Sequence, residues 1–181
     1  MATRKNIELD FEIDKLTNSI ENTFTGESFP TKVLPTTIEE LTKIKEQKTW
    51  VFDWVQEYRL PMRKVYKLTT IAEPQTIQGL MSMELKPDHV LMHLIESAPI
   101  NRGKNKIYIG VLGNLVAYAC KTSFDKKFIN GVVAFYAKTQ LIEHYKKELG
   151  AKHIGRNLMI LDGYDSLNLV NLYFGQTSKT Q

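Results

Sequence analysis

The segment that decides the fold of this chain is residues 89–99, which read HVLMHLIESAP. Its centre, VLMHLI, is apolar apart from one histidine, and such a run is typical of a strand that is covered on both faces. Pro99 closes the segment, and a polar loop follows it. A covered strand needs neighbours on both sides, so the flanking sequence decides the architecture.

Two further strands precede this segment and predict an antiparallel meander. Residues 65–71 form a β-branched and aromatic run, and residues 76–85 follow after a turn at residues 73–75. A second turn at residues 86–88 leads into residues 89–97. Three consecutive strands joined by short turns are expected to pair with their neighbours along the chain.

Strands and helices alternate after Pro99. We predict a helix over residues 110–121, a strand over 131–137, a helix over 140–149, a strand over 156–161 and a last helix over 166–174. This order predicts an α/β protein (an α+β mixed sheet). The strands at 89–97 and 131–137 are expected to run parallel, because a helix connects them.

The first 64 residues read differently. We predict that residues 1–64 form an N-terminal segment that packs on a core of residues 65–181. Apolar and acidic residues alternate over positions 7–11, which indicates a short strand, although residues 14–22 fit a helical continuation equally well.

A helix start is visible inside this N-terminal segment. Thr37 and Glu40 have the spacing of a capping box, which predicts a helix from residue 38 to about residue 48. The aromatic residues that follow, from Trp50 to Tyr58, fit a strand and a helix equally well.

Composition excludes several classes of site. The chain has 181 residues, a net charge of +4 and one cysteine, Cys120. A single cysteine excludes an intramolecular disulfide and a zinc site built on cysteine pairs, and the histidines form no HExxH motif, so we expect no metal. Cys120 falls inside a predicted helix, where a structural role is expected.

Hydropathy points to a cytoplasmic protein without a membrane partner. No run approaches ~18 apolar residues, the length that a spanning helix needs. The first residues carry acids where a signal peptide needs an apolar run. The charge is too small and too scattered to indicate nucleic acid, and no RNP-like motif is present.

The loop before the predicted helix at 110–121 concentrates the chemistry. It carries Arg102, Lys104 and Lys106, and glycines follow at Gly110 and Gly113. A helix N-terminus presents free N–H groups that bind phosphate oxygens, and glycine lets a ligand approach the backbone. The pattern therefore suggests a diphosphate site at residues 107–114. The alternative is a turn that merely faces water, since neither a P-loop nor a GxGxxG motif is present.

A later segment, residues 138–151 (KTQLIEHYKKELGA), is similar to the N-x-x-A-x-x-L-Y-x-K-L-G-F signature of the GNAT N-acetyltransferase superfamily. Together with the meander, the strand ending at Pro99 and the basic loop, it makes residues 64–162 resemble that family. The resemblance implies a central, mostly antiparallel mixed sheet with one splayed parallel pair, flanked by helices. It also implies acetyl-CoA as co-substrate, with no metal.

The resemblance further implies which residues hold the cofactor. The pyrophosphate would lie at the helix start, formed by Ile107, Tyr108, Ile109, Gly110, Val111, Leu112, Gly113 and Asn114. Main-chain groups of Ser97 and Ala98 would pair with the pantetheine arm like an added strand. Thr139 either faces the cofactor or caps the second helix.

Two catalytic residues follow from the same resemblance. Tyr145 matches the tyrosine that protonates the departing thiolate, although a helical stripe residue can simply pack the core. Glu96 would accept the amine proton, and its alternative is an ion pair with Arg102. By strand alternation His93 is expected on the opposite face from Glu96, as a hydrogen-bonded sheet histidine. Glu84 is a third candidate for the base.

Three functions remain open at this point. The first is acetyl transfer from acetyl-CoA to an amine of a small molecule or a peptide, with residues 1–64 forming an acceptor wall or a dimer surface. The second is a catalytically silent CoA- or metabolite-binding module, because Ile107 and Leu112 depart from the family pattern. The third is an RNA- or ribosome-associated protein, suggested by the pI of about 9.0. A homodimer through the last helix or an edge strand is also open.

Overall fold

A nine-stranded mixed sheet organises the computed structural model, which describes residues 6–125 and 130–175. Its strands are β1 (Ser19–Asn22), β2 (Ser28–Pro35), β3 (Arg63–Thr70), β4 (Gly79–Leu85), β5 (Val90–Ser97), β6 (Tyr108–Ile109), β7 (Val133–Tyr136), β8 (Lys152–Gly155) and β9 (Leu158–Leu161). Their order across the sheet is β6-β1-β2-β3-β4-β5-β7-β9-β8. The predicted meander is confirmed as the antiparallel set β3-β4-β5.

Helices cover both faces of this sheet. They are α1 (Ile38–Gln47), α2 (Trp54–Tyr58), α3 (Val111–Phe124), α4 (Ile142–Leu149) and α5 (Gly163–Phe174). On the first face, α1 and α2 bury Leu41 and Trp54 against Leu80 and Leu94. A larger apolar cluster on the second face holds residues of α3, α4 and α5 together with Phe135.

The parallel pair is confirmed, and it is short. Strand β5 pairs with β7 through Val90–Val133 and Leu91–Ala134. Beyond Leu91, β5 continues to Ser97 while it pairs with β4 on its other side. The two parallel strands therefore diverge and leave a cleft between them. The mixed α/β fold class is also confirmed.

A β-bulge interrupts the alternation of β5. Ser82 pairs with Leu94 and Met83 with Met92, so His93 is one extra residue on β5. A bulge moves the residues on its two sides out of strict alternation.

The bulge corrects the face predicted for His93. Glu96 lies opposite Leu80, and Glu84 shares the face of Leu80 because four residues separate them on β4. The ring of His93 hydrogen-bonds to the carboxylate of Glu84. His93 therefore lies on the same face as Glu96, and the prediction of opposite faces is wrong because it assumed a strand without a bulge.

The N-terminal third contributes to the same sheet. Residues 14–22 do not continue as a helix, because Ser19–Asn22 is strand β1. The aromatic stretch from Trp50 to Tyr58, whose sequence fits a strand and a helix equally well, contains the short helix α2. Strand β2, before residue 64, pairs along β3, after it. The division at residue 64 stays a prediction.

The capping box is confirmed at the start of α1. The Thr37 hydroxyl accepts from the Glu40 N–H at 3.3 Å, and the Glu40 carboxylate accepts from the Thr37 N–H at 3.1 Å. The same Glu40 carboxylate pairs with Lys67 on β3, so it also ties the helix to the sheet.

We expect Thr37→Ala to lower the free energy of unfolding by about 1 kcal/mol, because it removes the N-cap acceptor. Urea denaturation measures the loss. Thr42→Ala is the matched control, since the exposed Thr42 hydroxyl only donates back to the carbonyl of Ile38 in the same helix. Equal losses in the two variants would contradict the capping role.

Candidate functional site

A cavity of about 560 Å³ lies in the cleft where β5 and β7 diverge. The end of β5, with Ile95 and Ser97, forms one wall, and the start of α3, with Val111 and Leu112, forms another. Residues 7–12 and Asp14 line a third side. Its size is in the range of ordinary ligand pockets, so this cleft is the candidate active site.

Residues 7–15, here called the N-terminal strap, run along β7 inside this cleft. The Leu9 N–H donates to the Tyr136 carbonyl at 2.6 Å, and the Lys138 N–H donates to the Leu9 carbonyl at 3.0 Å. Leu9 thereby forms a parallel bridge with Ala137. Of the short strand predicted at residues 7–11, the structure has this one bridge. The bridge lies beside the edge of β7 that faces the cleft.

Apolar side chains anchor the strap. Leu9, Phe11 and Ile13 are at most 7% exposed. The Phe11 ring packs against the rings of Tyr145 and Phe135, with centroids 4.8 Å and 6.0 Å away. Burial of each such side chain contributes about 1.5–3 kcal/mol. Of the apolar residues in the alternation over positions 7–11, Leu9 and Phe11 therefore face the core, whereas Ile7 is exposed.

The hydroxyl of Tyr145 binds the backbone of the strap. It donates to the Phe11 carbonyl at 2.7 Å and accepts from the Phe11 N–H at 3.0 Å. Burial raises the pKa of Tyr145, so the hydroxyl stays protonated at neutral pH. The neighbouring His144 accepts from the Ile13 N–H at 2.9 Å. The catalytic role of Tyr145 stays a prediction, and in this conformation its hydroxyl is engaged.

The start of α3 binds an oxyanion of the chain itself. The Gly110 N–H donates to one carboxylate oxygen of Asp14 at 2.8 Å, and Lys106 donates to the other at 2.8 Å. Gly110 has φ +89°, and a Cβ there would lie 2.9 Å from the Ser19 carbonyl. The sequence analysis assigned this N–H group to a phosphate. In the structure it binds an anionic group, which is the carboxylate of Asp14.

The other residues of the predicted diphosphate site fall into three groups: residues that border the cavity, residues in backbone pairing, and the pair Gly113 and Asn114. Tyr108, Val111 and Leu112 border the cavity. Ile107 and Ile109 instead belong to backbone pairing, since the Ile107 N–H donates to the Ile100 carbonyl and Ile109 pairs with β1.

Gly113 and Asn114 serve the protein's own packing. A Cβ on Gly113 would lie 2.7 Å from the Lys15 carbonyl and 2.2 Å from the Tyr173 hydroxyl. The Asn114 amide donates to the carbonyls of Thr17 and Gly110 at 3.0 Å and 2.7 Å. Both residues let the chain around Lys15 lie directly against α3.

Ser97 and Ala98 have one hydrogen-bonding edge engaged with β4. Ser97 pairs with Gly79, and the Ala98 N–H donates to the Gln78 carbonyl at 2.9 Å. Ser97 also borders the cavity. Their contact with a pantetheine arm stays a prediction.

Thr139 does not cap a helix. It is exposed and lies in the single 3₁₀ turn Thr139–Leu141, and neither this turn nor α4 has a side-chain cap. The capping alternative is therefore wrong, and its contact with a cofactor stays a prediction.

Four donors surround the carboxylate of Glu96. It accepts from the N–H groups of Val51 and Phe52 at 2.6 Å and 3.3 Å, from the Trp54 indole at 2.8 Å and from Arg102 at 3.0 Å. The ion pair with Arg102 is confirmed. Glu96 fastens the residues before α2 to the sheet, and its role as proton acceptor stays a prediction.

A second cavity, of about 270 Å³, lies on the face covered by α2. Glu57, Arg63 and His93 line it, and the Glu57 carboxylate accepts from Arg63 at 2.7 Å. His93 is hydrogen-bonded to Glu84 at 2.8 Å, as the sequence suggested for a sheet histidine. Sequence reasoning missed this cavity because it depends on the bulge.

Among residues 6–125 and 130–175, no group of three or more histidine, cysteine, aspartate or glutamate side chains could hold a metal ion. Within the same ranges no helix has the length and hydropathy that a membrane crossing requires. Cys120 is buried, and burial raises the pKa of its thiol to about 12, which agrees with a structural role.

We expect Tyr145→Phe to lower the free energy of unfolding by about 1–3 kcal/mol, because it leaves the buried N–H and carbonyl of Phe11 without their partner. Thermal or urea denaturation measures this. Tyr164→Phe removes a hydroxyl from an exposed ring and serves as the control. Wild-type stability in Tyr145→Phe would show that the strap is not held by this hydroxyl.

The stability of the protein should also fall below neutral pH because of His93. Burial lowers the pKa of His93, so the unfolded chain, which titrates near pH ~6.5, takes up the proton first. The contribution of His93 to the free energy of unfolding is therefore fully present above that pH, and it decreases as the pH falls through it. His93→Gln should reduce the slope, whereas His89→Gln should not. Identical slopes in both variants would refute the assignment.

Comparison with known proteins gives matches to solved structures only. No family model and no curated protein matches the chain. Solved structures do match. Spermidine N-acetyltransferase SpeG from Vibrio cholerae, in a dodecameric structure, is 13% identical with a TM-score of 0.55, over 76% of this chain and 96% of that chain. Aminoglycoside acetyltransferase AAC(6')-Ib in complex with coenzyme A is 14% identical with a TM-score of 0.55, over 76% and 98%.

At such low identity these matches establish the fold. The chain has the fold of the GNAT N-acetyltransferase superfamily.

Proposed function

We propose that the protein transfers an acetyl group from acetyl-CoA to an amine. The observation that carries this proposal is the N-terminus of α3, where the Gly110 N–H and Lys106 already bind a carboxylate at the mouth of the cleft. The same two donors fit a phosphate oxygen. The likeness in fold to two N-acetyltransferases, one of them bound to coenzyme A, supports the proposal.

In this proposal the residues of the cleft bind the cofactor and donate a proton to the leaving group. Gly110 and Lys106 would hold the pyrophosphate, and the free edge of β5 at residues 95–97 would align the pantetheine arm. The amine nitrogen would form its bond to the acetyl carbon as the carbon–sulfur bond breaks. The thiolate that departs would take a proton from the Tyr145 hydroxyl.

The acceptor would approach from the face covered by α2. The cavity of about 270 Å³ on that face gives room for an acceptor. Glu57, Glu84 and Glu96 all lie there, each paired with a basic side chain. Glu96 or a water beside it would take the proton that the attacking amine loses. In this proposal the elements before residue 64 supply the acceptor wall. The cytoplasmic location and self-association also stay predictions.

A catalytically silent CoA- or metabolite-binding module is the second candidate. The strap favours it, because residues 7–15 occupy part of the cleft and bind the Tyr145 hydroxyl. Leu112, which borders the cavity at the helix start, favours it as well. Binding of CoA without transfer to any amine would support this candidate.

Leu112→Glu tests the proposed function. A carboxylate at this position would repel the pyrophosphate and should lower kcat/KM by at least about a hundredfold. Leu167→Glu adds the same charge at an exposed position on α5 and should leave the activity unchanged. Released CoA can be followed with a thiol reagent, because the chain's own thiol at Cys120 is buried.

The assay needs a panel of amines, which includes polyamines, aminoglycosides and peptides, with the acetylated product identified by mass spectrometry. Wild-type turnover that Leu112→Glu abolishes would support the proposal. Binding of acetyl-CoA without any product would favour the silent module. If neither acetyl-CoA nor CoA binds, both candidates fail.

A further inference from the structure

The strap and acyl-CoA compete for the same donors. Asp14 takes the Gly110 N–H and Lys106, which are the groups that the proposed function assigns to the pyrophosphate. We propose that the N-terminal strap is an autoinhibitory element, whose docking in the cleft and the binding of acyl-CoA exclude each other. This inference rests on the proposed function, because it concerns the regulation of that site.

Charge makes the competition strict at the start of α3. The Asp14 carboxylate and a pyrophosphate are both anionic, and each needs the positive end of the helix and the ammonium of Lys106. Like charges this close repel each other in a partly buried site, where the side chains of Asp14 and Lys106 are 26% and 28% exposed. The pyrophosphate can take these donors only when Asp14 leaves them.

The strap also occupies the proposed proton donor. Phe11 binds the Tyr145 hydroxyl through both its N–H and its carbonyl, three residues before Asp14. A docked strap therefore blocks the pyrophosphate donors and the acid together. Its release would free both at once, so activation would be a single event.

The fold contains features that fit the docked strap specifically. Tyr173 donates its hydroxyl to the Lys15 carbonyl at 3.0 Å, and a Cβ at Gly113 would lie 2.7 Å from the same carbonyl. Gly113 thus gives its space to the strap. His144, on α4, holds the Ile13 N–H. These contacts come from three different helices, so docking depends on the completed fold.

The strength of docking sets the apparent affinity for acyl-CoA. If acyl-CoA binds only molecules whose strap is released, the apparent Kd is the intrinsic Kd divided by the released fraction. The buried side chains of Leu9, Phe11 and Ile13 favour the docked state. The wild type should therefore bind acyl-CoA more weakly than a variant whose strap docks less well.

Asp14→Asn is the variant that tests this competition. Asparagine keeps the size of the side chain and an acceptor for the Gly110 N–H, so the fold is expected to persist, but it removes the charge and the ion pair with Lys106. We expect the Kd of acetyl-CoA to fall at least about tenfold. Glu143→Gln is the control, because it removes the same charge and an ion pair with a lysine at an exposed position of α4 and should change the Kd less than about twofold.

Hydrogen exchange supplies a second readout on the wild-type chain. Saturating acetyl-CoA should accelerate exchange of the amides of Leu9, Ile13 and Lys138, which the docked strap protects through hydrogen bonds. A merely structural strap would stay protected in the complex.

The two measurements separate the outcomes. A tighter Kd in Asp14→Asn, no change in Glu143→Gln and faster exchange at the strap support autoinhibition. Equal affinities in wild type and Asp14→Asn, or a strap that stays protected when acetyl-CoA is bound, overturn it and leave the proposed function standing. No binding to either protein overturns the proposed function together with the inference.

Discussion

The structure depends on how far β5 and β7 remain paired. Their parallel ladder ends after Leu91 and Ala134, and from there each strand needs a new partner for the backbone groups that it buries. The end of β7 obtains a partner from the strap through Tyr136 and Lys138. Strand β5 stays paired with β4, but only along its opposite edge. Because the ladder ends so early, a cleft forms between the two strands. The backbone N–H and carbonyl groups along its edges need hydrogen-bond partners, which a segment of the chain or a ligand must supply.

The charges around this cleft are balanced locally. Lys106 pairs with Asp14, Lys138 with Asp10 and Arg102 with Glu96. Each of these basic residues lies after position 100, and two of their three acids belong to the strap. The modest net charge of +4 therefore conceals a cationic surface that the chain covers with its own acids.

Sequence patterns predicted the parts of the fold whose signals are local. The capping box of α1, the meander and the parallel pair all follow from residues near one another along the chain, or from the order of elements. The bulge at His93 has no local signal, since the residues around it suit an ordinary strand equally well. One extra residue was enough to move a histidine to the other face.

The site was predictable in part. The helix start at Gly110 could be predicted because glycine and basic residues mark it. The ion pair of Glu96 with Arg102 was one of the roles that the sequence suggested for Glu96. The strap was not found, because its contacts with the rest of the fold join residues 92 to 158 positions apart. The alternation of apolar and acidic residues over 7–11 was a visible sign, but it does not say where the segment docks.

The position of the strap before the elements that bind it has a consequence for synthesis. Leu9 and Phe11 emerge from the ribosome long before Tyr136 and Tyr145, so their buried contacts must wait until those residues have been made. Contacts of such long sequence separation are slow to close, because the loop entropy is lost before they form. The strap is therefore translated before its binding site but is among the last segments to reach its place, and the nascent chain passes through a state in which its cleft is open.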